Sequence, residues 1–425
     1  MVIEMERRSL KSLVAEQNEE ILTRKEGHER EVLEEAKRKV ESPHILVITG
    51  PRRAGKSTLL IQIMNNLLEE DSFYYLNFQD ERLVDFKPED FNTLYEVLIE
   101  LYGERDTFIF DEIQNVEGWE TFVNRMHKEG NKVILTGSNA NLLSKELSTH
   151  LTGRHLDIEL LPFSFREFLK TEEGIPSEKE KLITKEKGKA KRLFDEYLET
   201  GGFPEKIIYD QEEILQNLYQ DIVTRDIIGR HGIKKTKTFR EIALHLMSNP
   251  AKPFSYNSLK NNYEINSVHT VKDYVSHLEE SYLVFELEKY SDSVKKQKRG
   301  AKKIYPVDTG LIHSVSFRST EDYGRMLENL VFLELRRRDG EVYYHKEDHE
   351  CDFLVKEGTE IEQAIQVTSE MTAENKEREL KGLEEAMERY DLDQGLLLTY
   401  SQEEKIEEEG KEIEVKPIWL WLLEQ

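Results

Sequence analysis

An apolar run that leads directly into a glycine-rich loop constrains this chain more than any other feature. The run is "HILVIT" (44–49), and the loop with its continuation reads "GPRRAGKSTLL" (50–60). Every fixed position of the pattern G-x-x-x-x-G-K-[ST] is filled, by Gly50, Gly55, Lys56 and Ser57. A buried strand would enter the loop, and the helical pattern "STLLIQIMNNLLEE" would follow it. This arrangement turns backbone N–H groups and the positive end of a helix towards phosphate groups.

The loop predicts a binding site for ATP with Mg²⁺. Lys56 would reach the β- and γ-phosphates, and the Ser57 hydroxyl would coordinate the metal ion. The alternative is a glycine loop that only caps an ordinary helix. The residues that we expect around the nucleotide are Gly50, Pro51, Arg52, Arg53, Ala54, Gly55, Lys56, Ser57 and Thr58.

A second apolar run, "DTFIFDEIQ" (106–114), ends in two carboxylates. An ATPase with a phosphate-binding loop needs one acid to hold magnesium and another group to position the attacking water. Asp111 would bind Mg²⁺ through water, and Glu112 would orient or polarise the nucleophilic water. The two acids therefore predict hydrolysis as well as binding.

Composition limits the classes of function. The formal net charge is −25, so a nucleic-acid contact would need a local basic patch. The single cysteine, Cys351, excludes an internal disulfide and a cysteine-rich zinc site. No apolar stretch reaches eighteen residues, and "MVIEMERRSLKS" lacks the apolar centre of a signal peptide. We expect a soluble cytoplasmic protein that does not interact with membranes.

A third buried strand, in "NKVILTGSNANLL" (131–143), ends in polar residues. A helical segment then leads to Arg154 and the strand-like "HLDIELLPF". This order is similar to that of AAA+ ATPases, which implies that Ser138 and Asn139 sense the γ-phosphate. It also implies that Arg154 reaches the site of a neighbouring subunit. The alternatives are a strand-to-helix cap for Ser138 and Asn139, and a helix-end cation for Arg154.

The sequence resembles the prokaryotic, largely archaeal AAA+-type ATPases that carry a C-terminal domain of restriction-endonuclease-like fold. The resemblance covers nearly the whole chain. It implies an α/β fold with a parallel P-loop sheet and a helical lid, and it implies assembly into a homo-oligomer, which could be a ring. The blocks that carry it are "GPRRAGKSTLL", "YYLNFQDERL" (74–83), "FIFDEIQNVEGWE", "ILTGSNANLLS", "LTGRHLDIELLPFSFREFL", "YLETGGFPE" (197–205), "KKIYPVDTGL" (302–311) and "GRMLENLVFLELRRR" (324–338).

The "GGFP" element has its own physical interpretation. Gly201 and Gly202 permit an unusual turn, and Pro204 suits the first position of a helix. In related ATPases a Gly-x-Pro element packs against the nucleotide base, and the resemblance places Gly202 and Pro204 there. The alternative is a helix start with no contact to nucleotide.

We expect five parts along the chain. Residues 171–192 are nearly all polar and would form a solvated connection between core and lid. The apolar spacing in residues 1–43 predicts charged amphipathic helices, which would fold on the core or on a partner. The parts are 1–43 (charged helical segment), 44–170 (AAA+ core), 171–235 (helical lid), 236–310 (winged helix) and 311–425 (restriction-endonuclease-like domain).

Three helical patterns and two strand-like runs between residues 236 and 310 predict a winged helix-turn-helix. In such domains the third helix enters the DNA major groove and the hairpin tip lies on the backbone. The hairpin connection "SDSVKKQKRGAK" and the residues after it are rich in cations, which would form a phosphate contact. The alternatives are a solvated loop or a domain used only for protein contacts. The expected DNA-contacting residues are His269, Thr270, Lys272, Lys295, Lys296, Lys298, Arg299, Lys302 and Lys303, whereas Glu279 and Glu280 would be repelled.

The last part carries an acid on a helix, Glu328, and an acid on a strand, Asp352. These are similar to the metal-binding acids of PD-(D/E)xK nucleases. The E-x-K positions of that pattern read Gln366 and Thr368, and neither offers the metal ligand or the charge that cleavage needs. We therefore expect an inactive fold used for binding or scaffolding, with Glu350 or His349 as possible substitutes.

Two classes of function follow from these patterns. The first is an oligomeric ATPase that binds or remodels DNA, and the second is a nucleotide-dependent protein switch or scaffold without DNA binding. An ATP-gated nuclease is a weaker third. At the C-terminus, Trp419 and Trp421 alternate as on a strand, which predicts an edge strand that could also bind a partner.

Overall fold

The computed structural model describes residues 7–69, 71–139, 153–172, 183–298, 300–316, 323–408 and 410–424. The chain divides into two units, Met1–Leu161 and Pro162–Gln425. Within the described ranges, no helix has the length and apolar character needed to cross a membrane.

In the described part of the first unit, five strands form a parallel sheet in the order β2-β3-β4-β1-β5. The α/β fold with a parallel sheet that the sequence predicts is confirmed. Parallel pairing places the carboxyl ends of all strands at one edge, where ligands bind in such sheets. The strands are β1 (Ile45–Thr49), β2 (Phe73–Asn77), β3 (Thr107–Asp111), β4 (Lys132–Gly137) and β5 (His155–Glu159).

Helices cover both faces of this sheet because successive strand residues point to opposite sides. Leu46 and Ile48 pack with Leu59 and Ile63 on one face. Ile45 and Val47 belong to the apolar cluster on the other face. The helices of this unit are α1 (Arg7–Thr23), α2 (Leu33–Val40), α3 (Lys56–Leu67), α4 (Asp90–Tyr102) and α5 (Trp119–Lys128), with 3-10 turns at Glu81–Leu83 and Ile113–Asn115.

The N-terminal helices are part of the first unit's core. Leu10, Leu13 and Val14 of α1 are buried in the same cluster as Phe108 and Phe110 of β3. Gln17 also fixes β2, since its side-chain carbonyl accepts a hydrogen bond from the Asn77 N–H at 2.8 Å. We expected residues 1–43 to fold either on the core or on a partner. The helices α1 and α2 fold on the core.

The second unit begins with helices. Residues 184–192, which we expected in a solvated connection, are the first half of a helix, and residues 173–182 of that connection lie outside the described ranges. The helices are α6 (Phe165–Thr171), α7 (Thr184–Thr200), α8 (Pro204–Tyr209) and α9 (Glu213–Asp221), and α9 continues into a π-helical segment, Ile222–Gly229.

Asp308 connects the segment 197–205, which contains Gly201 and Gly202, to the start of the helix that follows Asp308. Its carboxylate accepts hydrogen bonds from the N–H groups of Gly202 and Leu311, both at 2.7 Å. A Cβ on Gly201, whose φ is +77°, would lie 2.2 Å from Asp308 Oδ1. The backbone therefore passes too close to this carboxylate for any side chain at Gly201.

Helices and short strands alternate between residues 236 and 306. In the described ranges the three strands form a sheet ordered β6-β8-β7, with antiparallel pairing. The predicted helices and the two strands of the hairpin are present. The elements are α10 (Thr236–Met247), β6 (Pro253–Phe254), α11 (Tyr256–Asn262), α12 (Val268–Glu280), β7 (Val284–Glu288), α13 (Val294–Gln297) and β8 (Lys302–Pro306).

A mixed sheet completes the unit. Its six described strands run in the order β13-β14-β12-β11-β10-β9. The strands are β9 (Glu341–Lys346), β10 (Glu350–Glu357), β11 (Glu360–Val367), β12 (Gln394–Thr399), β13 (Glu404–Glu408) and β14 (Lys411–Pro417). The helices are α14 (Thr309–Val315), α15 (Tyr323–Arg337), α16 (Lys376–Arg389) and α17 (Ile418–Trp421).

The prediction of a C-terminal edge strand is wrong. β14 lies between β12 and β13, and Pro417 ends it. Trp419 and Trp421 then lie in α17 and are both buried. Three residues are too few to distinguish the alternation of a strand from one turn of a helix that is buried on all sides. The two tryptophans therefore belong to the core and not to a partner-binding strand.

Candidate functional site

The glycine-rich loop joins β1 to α3 at the carboxyl edge of the parallel sheet. Gly50 has φ +149°, and a Cβ there would lie 2.0 Å from the Leu160 carbonyl oxygen. Gly55 caps α3 in a left-handed conformation. Only glycine fits at Gly50, and the loop that follows ends on the positive N-terminus of α3.

Lys56 lies within this loop. Its Nζ donates to the carbonyl oxygens of Gly50 and Pro51, both at 3.1 Å, and lies 3.3 Å from Glu112 Oε1. The side chain is buried. An ammonium held between the loop and a carboxylate can bind the phosphates of a nucleotide placed in the loop.

Asp111 connects three elements at the edge of the sheet. Its Oδ2 accepts from the Ser57 hydroxyl at 2.8 Å, and its Oδ1 accepts from the Thr136 hydroxyl. Burial raises the pKa of Asp111, and the Glu112 carboxylate adds to the rise. A divalent cation beside this buried acid would offset the cost of its charge.

Glu112 sits next to Asp111 but keeps its charge more easily. Burial raises its pKa, but the Lys56 ammonium and hydrogen bonds from Gln114 and Ser138 outweigh burial, so the pKa is lowered. Glu112 has φ +52°, a left-handed backbone conformation that turns it away from the strand direction. An ionised carboxylate in this position can accept a proton or orient a water molecule.

The residues present fit a bound Mg²⁺–nucleotide. Ser57 and Asp111 supply a hydroxyl and a carboxylate oxygen within 2.8 Å of each other, which are donor types that Mg²⁺ prefers. The metal ion would supply charge neutralisation for the phosphates. Lys56 would bind the phosphates, and Glu112 would position water.

The other predicted residues of the ATPase core lie at two places. Ser138 donates to Glu112 Oε2 at 2.9 Å, and Asn139 is buried beside it in sequence. Arg154 is exposed and precedes β5, at the opposite end of β1 from the loop. The five residues of β1 separate those ends by about 13 Å. Arg154 is therefore not a ligand of the loop in its own chain.

Gly202 and Pro204 belong to the second unit. The Gly202 N–H donates to Asp308, and Pro204 is the first residue of α8. These contacts agree with the alternative interpretation, in which the "GGFP" element starts a helix. A contact with the nucleotide base stays a prediction.

Arg30, which was not predicted from the sequence, supports the glycine-rich loop through its backbone. Its guanidinium donates to the carbonyl oxygens of Ala54 and Leu161, both at 2.7 Å, and the side chain is buried. No local pattern could reveal this contact, because Leu161 is 131 residues away in the sequence.

The predicted DNA-contacting residues are in different environments. His269, Lys272, Lys295 and Lys298 are exposed, and Thr270 is half-buried. The Lys296 side chain and all of Arg299 lie outside the described part of the chain. These residues lie in the connection between β7 and β8. The beginning of this connection is bound to β9, because the Tyr290 N–H donates to the Tyr344 carbonyl of β9 at 2.9 Å.

Two of the expected DNA contacts require correction. Lys302 pairs with Glu286 and with Glu288, and its ammonium also lies over the ring of Tyr256. Lys303 is only 1% exposed. The prediction that these two lysines lie at an accessible tip is wrong, because both are in β8 and neutralise acids inside the fold.

Lys303 is bound by three carboxylates. Its Nζ lies 2.8 Å from Glu328 Oε1 and 2.9 Å from both Glu350 Oε1 and Asp352 Oδ1. Burial lowers the pKa of Lys303, but these carboxylates outweigh burial and hold it well above its usual value. We call Lys303, Glu328, Glu350 and Asp352 the lysine–acid cluster.

The lysine–acid cluster occupies the position where the sequence suggested metal-binding acids. An ammonium has three N–H donors, and each carboxylate accepts from the same Nζ. Burial and the Asp352 charge raise the pKa of Glu328 to about 7, and Lys303 and Tyr305 limit that rise. A metal ion would have to compete with Lys303 for these same oxygen atoms.

Gln366 and Thr368 do not restore a catalytic pattern. The Gln366 side chain accepts from the Asp352 N–H at 3.1 Å and donates to Glu379 Oε2 at 2.9 Å. It therefore helps to hold Asp352 of the lysine–acid cluster in place. The Thr368 hydroxyl donates to the Glu370 carbonyl at 3.4 Å. Of the two substitutes, Glu350 is in the cluster, whereas the His349 side chain is exposed.

Comparison with known protein families divides the chain into three regions. Residues 42–169 match the model of an AAA domain. Residues 191–322 and 323–421 match two domains of unknown function, DUF8612 and DUF4143. The AAA part of the resemblance seen in the sequence is therefore confirmed.

Solved structures with weak similarity to this chain include AMPPCP-bound DnaA from Aquifex aeolicus, at 15% identity and a TM-score of 0.29 over 59% of this chain and 86% of that one. The RuvB Holliday junction branch migration motor of Thermotoga maritima has 17% identity and a TM-score of 0.29, over 61% of this chain and 89% of that one. At such values the likeness says nothing about function.

Two relatives are much more similar in sequence. The uncharacterized protein MJ1544 of Methanocaldococcus jannaschii is 37% identical over 398 residues, which are 89% of this chain and 88% of the relative. An uncharacterized protein of Haemophilus influenzae is 33% identical over 335 residues, 76% of this chain and 82% of the relative. The chain therefore belongs to the same family as these two proteins, and its residues 42–169 form an AAA domain.

Proposed function

We propose that this protein binds ATP with Mg²⁺ and hydrolyses it, as a homo-oligomer in which Arg154 acts on the site of a neighbouring subunit. The observation that carries this proposal is the grouping of Lys56, Ser57, Asp111 and Glu112 at one edge of the sheet. Lys56 binds phosphate, Ser57 and Asp111 hold the metal ion, and Glu112 activates water. Ser138 connects Glu112 to the end of β4, as a γ-phosphate sensor would.

We further propose that the second unit binds DNA. The order helix, strand, helix, helix, strand, short helix, strand between residues 236 and 306 supports a winged helix, with the lid before it and an inactive nuclease-like fold after it. The cations that remain for DNA are Lys272, Lys295, Lys296, Lys298 and Arg299, with His269 and Thr270 beside them. Because Lys302 and Lys303 are paired with acids, the basic surface is smaller than the sequence suggests.

A nucleotide-dependent protein switch or scaffold is the second candidate. The pairing of Lys302 and Lys303 inside the fold favours it, since it removes two of the cations on which DNA binding would rely. The two candidates share the ATP site and differ in what the second unit binds.

Glu112→Gln is expected to retain ATP binding and to lower turnover by about 100-fold or more, because only the activation of water is lost. Lys56→Ala is expected to weaken ATP binding itself, since the phosphates lose their cation. Phosphate release and binding of a fluorescent ATP analogue measure the two effects. The control is Glu117→Gln, an exposed acid near the site. Equal turnover in Glu112→Gln and wild type would exclude Glu112 as the activating group.

Arg154→Ala is expected to keep ATP binding and to lose hydrolysis by about a thousandfold, because a transition-state cation from the neighbouring subunit is missing. Mixing Arg154→Ala with Glu112→Gln chains should restore part of the activity, since some interfaces regain an intact pair. Sedimentation analysis must show that the two variants assemble together. A mixed assembly that stays inactive contradicts action between subunits.

Replacement of four cations of the hairpin connection by alanine is expected to weaken binding to DNA of any sequence. The slope of log affinity against log salt should fall by about 0.9 for each lost phosphate contact. Fluorescence anisotropy with duplex and single-stranded DNA, with and without ATP, measures both quantities. The substituted residues are Lys295, Lys296, Lys298 and Arg299.

The matched control for this variant removes the same charge from α7, at the exposed residues Lys185, Lys187, Lys189 and Arg192. It should bind DNA as wild type does. If both variants bind like wild type, the hairpin connection is not the DNA contact. If wild type itself fails to bind DNA at low salt, the switch or scaffold function replaces DNA binding.

We expect no cleavage of duplex or single-stranded DNA with Mg²⁺ or Mn²⁺, whether or not ATP is present. The reason is that Lys303 holds the carboxylates that a metal ion would need. Incubation with supercoiled plasmid followed by electrophoresis tests this. Nicking that disappears in Asp352→Asn, in a protein that remains folded, would identify the ATP-gated nuclease instead.

A further inference from the structure

Two histidines and a glutamate meet where the first helices of the second unit end against α12. His277 and Glu280 are three residues apart on α12 and therefore share one face of the helix. His231 lies two residues after the end of the π-helical segment Ile222–Gly229. One nitrogen from each histidine and one carboxylate oxygen of Glu280 lie within 4.8 Å of one another.

The donor atoms of this group lie close together, and the rings of His231 and His277 are stacked with their centroids 3.7 Å apart. Glu280 Oε1 accepts from the Ser276 hydroxyl at 3.1 Å, and Oε2 faces both rings. Nε2 of His231 is inaccessible to solvent and makes no hydrogen bond to any residue that the structure describes. A buried nitrogen without a hydrogen bond is costly, and a ligand at this point would remove the cost.

The distances suit a tetrahedral metal ion. Zinc bonds of about 2.0–2.1 Å to nitrogen place neighbouring ligand atoms about 3.3–3.4 Å apart. Glu280 Oε2 lies 3.4 Å from Nδ1 of His277 and 3.6 Å from Nε2 of His231. Because the two imidazole rings are stacked with only 19° between their planes, they must also turn in order to point both nitrogens at a shared ion.

The donor types select the kind of metal. Two imidazole nitrogens and one carboxylate oxygen favour Zn²⁺ and similar transition-metal ions, whereas Mg²⁺ and Ca²⁺ prefer oxygen ligands. Three protein ligands leave a fourth position for water. The π-helical segment before His231 is a further observation, since such segments are rare and are frequent at functional sites.

We propose that His231, His277 and Glu280 bind one Zn²⁺ ion, which ties the end of the π-helical segment to α12. The ion fixes the C-terminal half of α12, while His269 and Lys272 remain exposed near its N-terminus. Glu280, which we expected to repel DNA, has its charge neutralised by the ion. This site is separate from ATP hydrolysis and does not depend on DNA binding.

Zinc titration of the full-length chain, free of any tag and stripped with a chelator, tests the proposal. Competition with a chromophoric chelator should give one Zn²⁺ per chain, and Zn²⁺ should raise the melting temperature. His231→Ala, His277→Ala and Glu280→Gln should each weaken binding by at least about tenfold and abolish the rise in melting temperature. His269→Ala, on the exposed face of α12, is the matched control and should bind as wild type does.

Cobalt provides a measurement that needs no variant. Co²⁺ in the wild-type protein should give the intense visible absorption of a four-coordinate site, and Zn²⁺ should displace it. The proposal is overturned if Co²⁺ gives only the weak spectrum of the hydrated ion. It is also overturned if folded His231→Ala and His277→Ala proteins bind zinc as tightly as wild type.

Discussion

The hydrogen bonds of Asp111 hold the proposed nucleotide site together. This buried carboxylate joins the first turn of α3, through Ser57, to the end of β4, through Thr136. Thr136 also accepts from the Glu112 N–H at 2.9 Å, so the same hydroxyl sets the position of the neighbouring acid. A buried carboxylate needs several donors to remain in the interior, and here those donors come from α3 and from β4. The need to satisfy Asp111 therefore sets the relative positions of Ser57, Thr136 and Glu112.

The grouping of the proposed nucleotide-binding residues could be predicted from the sequence because its parts are local. Gly50, Lys56 and Ser57 lie within one loop, and apolar runs mark the strands that end in Asp111 and Ser138. Parallel pairing then brings separate strand ends to one edge without further information. Arg30 could not be predicted, because it acts through backbone carbonyl groups that carry no sequence signal.

The lysine–acid cluster could not be predicted from the sequence, for a different reason. In the sequence Lys303 is one of several cations in a short basic segment, which is typical of an exposed loop. Its partners Glu328 and Asp352 lie 25 and 49 residues further along the chain. Alternation in "KKIYPVD" places Lys303 on the same face as Tyr305, but only the packed fold gives that face its acids. Charge alone therefore did not distinguish the exposed cations of this segment from Lys302 and Lys303, which pair with acids inside the fold.

The packing of α1 on the sheet has a consequence for preparing the AAA domain by itself. The family match begins at residue 42, whereas Leu10, Leu13 and Val14 help to cover the aromatic side chains of β3. A fragment cut at the family boundary would leave this apolar surface open to water, and such surfaces drive self-association. Recombinant fragments should therefore start before Arg7 and not at residue 42, where the family match begins.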